Sequence, residues 1–242
     1  MKDYKYSLII ASLLLLLFMT SCGKPNGKIG VPVVEDLHVK VAEVKADIAQ
    51  FEPVVWEKNN ESRKEWSKMI YSVIENEEPS MLENNVAKDI HTFCPKYDTL
   101  NQAQRLNFWG QFFAALAKPE SDWNPTSQMV ETSQGIDPIT QRRVMSEGLL
   151  QLSYQDEKSY DLDCGFDWNR DSKLAQKDPR KTILNPLLNL RCGVKIMAHR
   201  LRKDSVITKE SGVYWAVLRK NSRASKIPAI SKMTKSLKMC QE

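Results

Sequence analysis

The chain has 242 residues, 42% of them hydrophobic and 27% charged, and a formal net charge of +5 from 35 Lys and Arg against 30 Asp and Glu. So small an excess, with no basic run interleaved with aromatics, argues against a nucleic-acid-binding protein and is merely compatible with an anionic polymer as partner. The length suits one domain, or one domain with a helical extension, and is ample for a sizeable core.

The N-terminus reads as an export signal. Lys2 and Lys5 precede an apolar stretch, Ser7 to Phe18, that contains five consecutive leucines. Met19-Thr20-Ser21-Cys22 closes it with small residues and a cysteine. The apolar run is too short to cross a bilayer as a stable helix and fits a cleaved signal. The cysteine after small residues resembles the bacterial lipobox, in which that cysteine is lipidated and becomes the first residue of the mature chain. Met19 departs from the Leu usual there. The expected organisation is a signal over 1–21, a Gly-, Pro- and Lys-rich tether over 22–34, a helical extension over 35–95 and a main domain over 96–242. Losing Lys2, Asp3 and Lys5 lowers the net charge to +4.

Beyond the tether the periodicity is helical. Leu37, Val41, Val44 and Ile48 share one face, as do Trp66, Ile70, Val73 and Ile74. The strongest stripe is Leu106, Trp109, Phe112, Phe113 and Leu116, ending before Lys118-Pro119. Two more follow: Leu190, Val194, Met197 and Leu201, then Ile230, Met233 and Leu237. All five read as core-packing faces. Strand alternation is weak, with room for one small hairpin within Met129 to Val144, so the expected class is mainly α. Long polar segments, Thr126 to Met145 and Asp161 to Asp178, suit loops gathered over a groove.

With Cys22 lipidated, Cys94, Cys164, Cys192 and Cys240 remain, an even number that favours two disulfides in an exported chain. Three pairings are open. His38, His91 and His199 are scattered and no C-x-x-C occurs, so no metal site and no cofactor are expected.

Three segments carry the chemistry. Glu120-Ser121-Asp122-Trp123-Asn124-Pro125 follows the aromatic stripe, Gly148-Leu149-Leu150-Gln151 opens a short apolar run, and Asn189 to Met197 carries Asn189 and Gly193 on a helical stripe. In this order, behind an export signal, they resemble the lytic transglycosylase and goose-type lysozyme family (glycoside hydrolase family 23), over roughly residues 100 to 222. The resemblance implies a lysozyme-like α domain that cuts the β-1,4 bond between N-acetylmuramic acid and N-acetylglucosamine in peptidoglycan. Glu120 would be the catalytic acid. Ser121 would be a neighbour that orients it and, with Gln151 as a groove residue, a contact to substrate; Asn189 and Gly193 would be structural, the glycine letting helices approach closely. The family's Tyr-Asn-x-Gly ending is absent, and Tyr214 or another tyrosine would stand in. A pairing of Cys164 with Cys192 would tie the Asp-rich loop to the helix bearing Gly193.

The physical case for Glu120 stands beside this. Glycoside cleavage needs a proton donor near neutral pH, hence a carboxyl whose pKa is raised by apolar surroundings. Glu120 follows the most hydrophobic helix and precedes Trp123. Glu131, Asp137 and Glu147 are candidate second carboxylates. Glu131 and Glu147 are also candidate contacts to the ammonium of de-N-acetylated sugars. Trp123, Trp168 and Trp215 could stack on sugars or pack in the core. The expected protein is a monomer on peptidoglycan, anchored through an N-terminal lipid to a membrane facing the periplasm or cell surface. The rival is a non-catalytic, wall-binding structural lipoprotein.

Overall fold

The computed structural model describes residues 39–241. The expected signal, Cys22, the tether and Leu37 lie outside them. The class is mainly α, as the periodicities imply, with two short strands.

Helix α2, Gln102–Ser121, starts from a capping box in which Asn101 and Gln104 exchange side chain-to-backbone hydrogen bonds of 2.9 Å each. Every residue from Leu106 to Ala117 is buried, so α2 has no solvent face along this stretch. Helix α1, Lys64–Asn76, and helix α6, Ile227–Thr234, pack against it, and α1 also packs on helix α5, Pro186–Asp204. Two short helices, α3 (Gln155–Tyr160) and α4 (Trp168–Asp171), lie between the second strand and α5. Residues 39–95, expected as an extension, contribute to the same continuous core as the later helices.

A helix on the Val41, Val44 and Ile48 face is not formed: this stretch has no α-helix and only a 3-10 turn at Ile48–Gln50. Its backbone is satisfied from elsewhere. The Glu75 carboxylate accepts from Lys45 N and Ala46 N, Asn107 both accepts from and donates to Glu52, and Gln111 accepts from Val55 N. Asn107 and Gln111 are buried polar residues on α2, and pairing with this strand-like segment removes the penalty of leaving them without partners. The C-terminal stripe is likewise broken. α6 stops at Thr234, and Leu237 reaches the core from the turn before a 3-10 helix at Lys238–Cys240.

The hairpin brackets the Met129 to Val144 interval, its second strand lying just beyond it. Strand β1, Gln128–Val130, pairs antiparallel with β2, Met145–Glu147, and Ile136 bridges Arg143 farther out.

α5 holds the segment that follows β2. Asn189, wholly buried, accepts from Leu150 N at 2.8 Å and donates to Glu147 O and Ile183 O at 3.0 Å each. Gly148 has φ +80°, and a Cβ there would stand 2.4 Å from Asn189 Nδ2. A Cβ on Gly193 would stand 2.2 Å from Leu150 Cδ1, so this glycine admits the Gly-Leu-Leu-Gln loop rather than a second helix. The disulfides are Cys164–Cys192 and Cys94–Cys240. They close intervals of 28 and 146 residues, the second joining the segment before α2 to the C-terminal 3-10 helix.

Two outcomes are expected. Asn189→Ala strands the Leu150 N–H and Ile183 O, while Glu147 O keeps Leu152 N, and should lower unfolding stability by about 2–4 kcal/mol in urea titration, at roughly 1–3 kcal/mol per abandoned group with partial relaxation. A change below about 0.5 kcal/mol contradicts this role. Replacing Cys164 and Cys192 together by serine should cost about 2–4 kcal/mol by the same measurement, and finding free thiols in the unreduced exported protein refutes the pairing.

Candidate active site

α2 ends in a way that presents its last turn to an open space. Asp122 (φ +54°) and Trp123 (φ +60°) are both left-handed, and Asp122 N closes the helix on Lys118 O. Trp123 turns back onto the helix, its indole N–H donating to Ala114 O at 2.8 Å, with Lys118 and Arg63 over its ring. It is a brace, not a sugar platform. Ser121 donates to Leu149 O at 2.8 Å and to Ala117 O at 3.2 Å. It therefore staples α2 to the Gly-Leu-Leu-Gln loop. Ser121 was expected among the substrate contacts, but it is buried and does not line the cleft.

The cleft has a volume of about 740 Å³. Glu120, Glu131, Gln151, Asp156 and Tyr214 are among its lining residues. Among the described residues no group donates a hydrogen bond to the Glu120 carboxyl. Though only partly buried by exposure, it is deep enough for desolvation to disfavour its charge. The nearby Glu131 charge adds to this, and together they push its pKa up to about 7.

The hairpin decides which other carboxylates enter. Side chains alternate across the two strands, and Met129 is paired with Ser146 and Gln128 with Glu147. Met129, Glu131, Val144 and Ser146 line the cleft, and Ser146 Oγ donates to Glu131 at 2.5 Å. Glu147 faces the other way, into a second cavity of about 210 Å³, where it accepts from Gln128 and lies near the buried Lys181. Burial, partly offset by Lys181 and Gln128, pushes Glu147 up to about 7 as well, but it is not a cleft residue. Asp137 is buried as a loop brace, accepting from Ile139 N at 2.7 Å, Thr140 N at 3.2 Å and Gln155 N at 3.2 Å. Of the expected second carboxylates, the structure places only Glu131 beside Glu120.

Gln151, at φ +50°, donates to Gly148 O at 2.9 Å and Ser127 O at 3.3 Å, so its amide N–H groups brace the loop while the residue lines the cleft. Tyr214, expected to stand in for the absent tyrosine motif, lines the cleft. Its hydroxyl donates to Asp156 Oδ2 at 2.5 Å, and burial holds its pKa well above 10, with Asp156 and Glu120 contributing. Trp215 reaches the cleft but is anchored by its N–H to Leu150 O, and Trp168 belongs to the second cavity.

Asp156 was not singled out in sequence. Its second role is local: it accepts from Ser153 N at 2.6 Å at the start of α3. Ser153-Tyr154-Gln155-Asp156 has the spacing of a capping box, and that signal was available. Burial raises the Asp156 pKa against the hydrogen bonds from Tyr214 and Ser153. No group of three or more His, Cys, Asp or Glu arranged for a metal occurs among the described residues.

No protein-family model matches the chain, and no curated protein does. Among solved structures the chain is similar to Bd0314 DslA, a Bdellovibrio protein. Its wild-type form 2 is 27% identical at a TM-score of 0.60, over 78% of this chain and 98% of that one. Two variants of DslA, each with one glutamate replaced by glutamine, match at 26% and 27% identity with TM-scores of 0.59 and 0.60, over 97% of their length. The chain thus shares its fold with DslA over nearly the whole of that protein.

Proposed function

We propose that this chain is a glycosidase of the lytic transglycosylase or lysozyme type that cleaves peptidoglycan glycan strands, with Glu120 as the proton donor. The observation that carries the reading is Glu120 itself: a carboxyl with no hydrogen-bond donor, in an open cleft, holding its proton up to about pH 7. Such a group can protonate the oxygen of a leaving sugar at neutral pH. The DslA likeness supports it in one detail. The two glutamates replaced in the DslA variants are eleven residues apart, as are Glu120 and Glu131 here. Glu131, held by the Ser146 hydroxyl, is then the partner carboxylate of the cleft. Tyr214 and Asp156 form a positioning pair beside it.

Glu131 also bears on substrate choice. A carboxylate against a sugar subsite suits an ammonium through a charge-assisted hydrogen bond better than an acetamido group, which favours partly de-N-acetylated glycan. Glu147, turned to the second cavity, has no part in this. The two disulfides are consistent with an exported protein. The expected lipid on Cys22 would hold the domain at a membrane, and mass spectrometry of the mature N-terminus tests it. The non-catalytic rival lacks a use for a neutral buried acid with a second carboxylate beside it.

The central test is digestion of purified sacculi, with mass spectrometry of the released muropeptides reading reducing against anhydro ends. Glu120→Gln should lower turnover by about 10²–10⁴-fold while binding persists. Bound sacculi that neither protein clears would favour the structural rival.

The pH dependence has a definite sign. The folded pKa of Glu120 lies above its ordinary 4.5. Between the two values the folded protein holds a proton that the unfolded chain has released, so this group's contribution to stability declines as pH rises towards 7. Cleavage should decline above about pH 7 for the same reason. Glu120→Gln should therefore melt higher than wild type at pH 8, by a margin that shrinks at pH 5. A variant destabilised equally at both values would reject the desolvated acid.

For selectivity, wild type should digest de-N-acetylated sacculi faster than matched acetylated ones, and Glu131→Gln should bring that ratio towards one. Equal wild-type rates on the two substrates remove Glu131 from substrate choice.

A further inference from the structure

The cleft's titratable residues are not all acids. His199, Arg200 and Lys203 from the C-terminal half of α5, and Arg219 from the segment after it, line the same space as Glu120. Their partners separate them into two groups. α5 carries five Lys or Arg residues, and four have a carboxylate: Arg191 and Lys195 pair with Glu77, Arg202 with Glu78, and Arg200 with Asp204. The fifth, Lys203, has no acid within ion-pair range among the described residues. Asp204, beside it in sequence, is already held by Arg200 and by Lys209 at 2.9 Å. Arg219 has no ion pair either, and its side chain makes no hydrogen bond among the described residues. Its Nε is buried without a partner. A buried donor in that state is costly, and native structures leave few of them.

Of the three Lys or Arg residues that line the cleft, Arg200 is thus held by Asp204 while Lys203 and Arg219 are left without an acid, and the α5 cations outside the cleft are neutralised within the fold. The field of a helix C-terminus favours Lys203 where it stands, but it occupies none of the ammonium's donors and does nothing for Arg219.

We infer that Lys203 and Arg219 form a carboxylate-binding subsite, through which the cleft selects glycan that carries carboxylates over glycan that carries none. This rests on the glycosidase reading above. The planar guanidinium of Arg219 matches the two oxygens of a carboxylate, and the Lys203 ammonium adds a mobile point charge. Peptidoglycan offers two sources of the group: the lactyl ether of muramic acid, free when the peptide is removed, and the peptide itself. A chitin-type chain offers neither. With Glu131 in the same cleft, the preferred strand carries an ammonium for the acid and a carboxylate for the bases, so its charges alternate along its length.

Binding is measured in the Glu120→Gln background so that cleavage does not enter. Three probes are compared: glycan strands with peptides, the same strands after amidase removal of the peptides, and a chitooligosaccharide of equal length. The unsubstituted pair should bind the carboxylated strands at least about tenfold more tightly than the chitooligosaccharide, roughly 1.4 kcal/mol. Lys203→Gln, Arg219→Gln and the double substitution should reduce that ratio stepwise towards one, and Arg219→Lys should retain part of it. A preference kept after amidase treatment assigns the lactyl group; one lost with the peptide assigns the peptide. Equal affinity for carboxylated strands and chitooligosaccharide overturns the subsite, as does an equal loss on both in the folded Lys203→Gln protein, whose substitution is exposed. Tight, charge-dependent binding of strands that the wild-type protein never cleaves would instead keep the subsite and reject the glycosidase reading.

Discussion

α2 has no side turned to water between Leu106 and Ala117, and that constraint fixes where Glu120 can be. A helix buried all round cannot rotate to relieve a charge near its end without breaking aromatic contacts such as Trp109 with Phe112, 5.3 Å between centroids. The turn after Ala117 therefore emerges at one angle. The left-handed pair Asp122 and Trp123 stops it there, and the Trp123 indole ties the exit back to Ala114 O. Glu120 is left at the boundary between core and cleft, where desolvation and the nearby Glu131 both disfavour its anion. Rigidity in the core thus produces acidity control at the site.

The rest of the site is arranged around that exit by hydrogen bonds that carry no chemistry themselves. Ser121 joins α2 to Leu149, and Asn189 joins α5 to Glu147 and Leu150. Trp215 donates to Leu150 O and brings the Tyr214 segment with it. The Gly148 to Gln151 loop is consequently held from three elements at once, and it delivers Gln151 to the cleft. Such a frame costs stability at Gln151, a non-glycine residue at positive φ, whereas Gly148 takes its positive φ without strain, and it sets the loop beside the cleft with the Gln151 amide hydrogen-bonded.

The charge layout follows the same logic of partners. Asp137 is consumed by backbone donors, and the α5 cations outside the cleft by Glu77 and Glu78. Glu120, Glu131, Lys203 and Arg219 keep capacity for something from outside. Acid and base in one cleft, without mutual pairing, suit a polymer bearing both signs better than a uniformly charged one.

Much was readable in the chain because some signals are local. The aromatic stripe of α2 and the Leu190, Val194, Met197 and Leu201 stripe of α5 follow from periodicity. Glu120 stood out because its Glu-Ser-Asp-Trp-Asn-Pro segment and the two segments downstream resemble a known family, and its place one turn past an apolar stripe agreed with a desolvated acid. Other features depended on pairing that no window of sequence contains. Val41, Val44 and Ile48 have helical spacing, yet their segment is drawn out because Glu75 takes the Lys45 and Ala46 N–H groups, and Asn107 and Gln111 hold the chain that follows at Glu52 and Val55. Glu131 and Glu147 were equivalent as loop acids. The register that sets Gln128 opposite Glu147 puts one in the cleft and turns the other to Lys181, since neighbouring strand positions face opposite ways. Asp156 and Tyr214 meet across 58 residues, and Cys94 and Cys240 across 146. The sequence alone determined which groups could be acids, caps and core. Which of them share a cavity was decided only by tertiary packing, because burial and charge partners are properties of the space between elements.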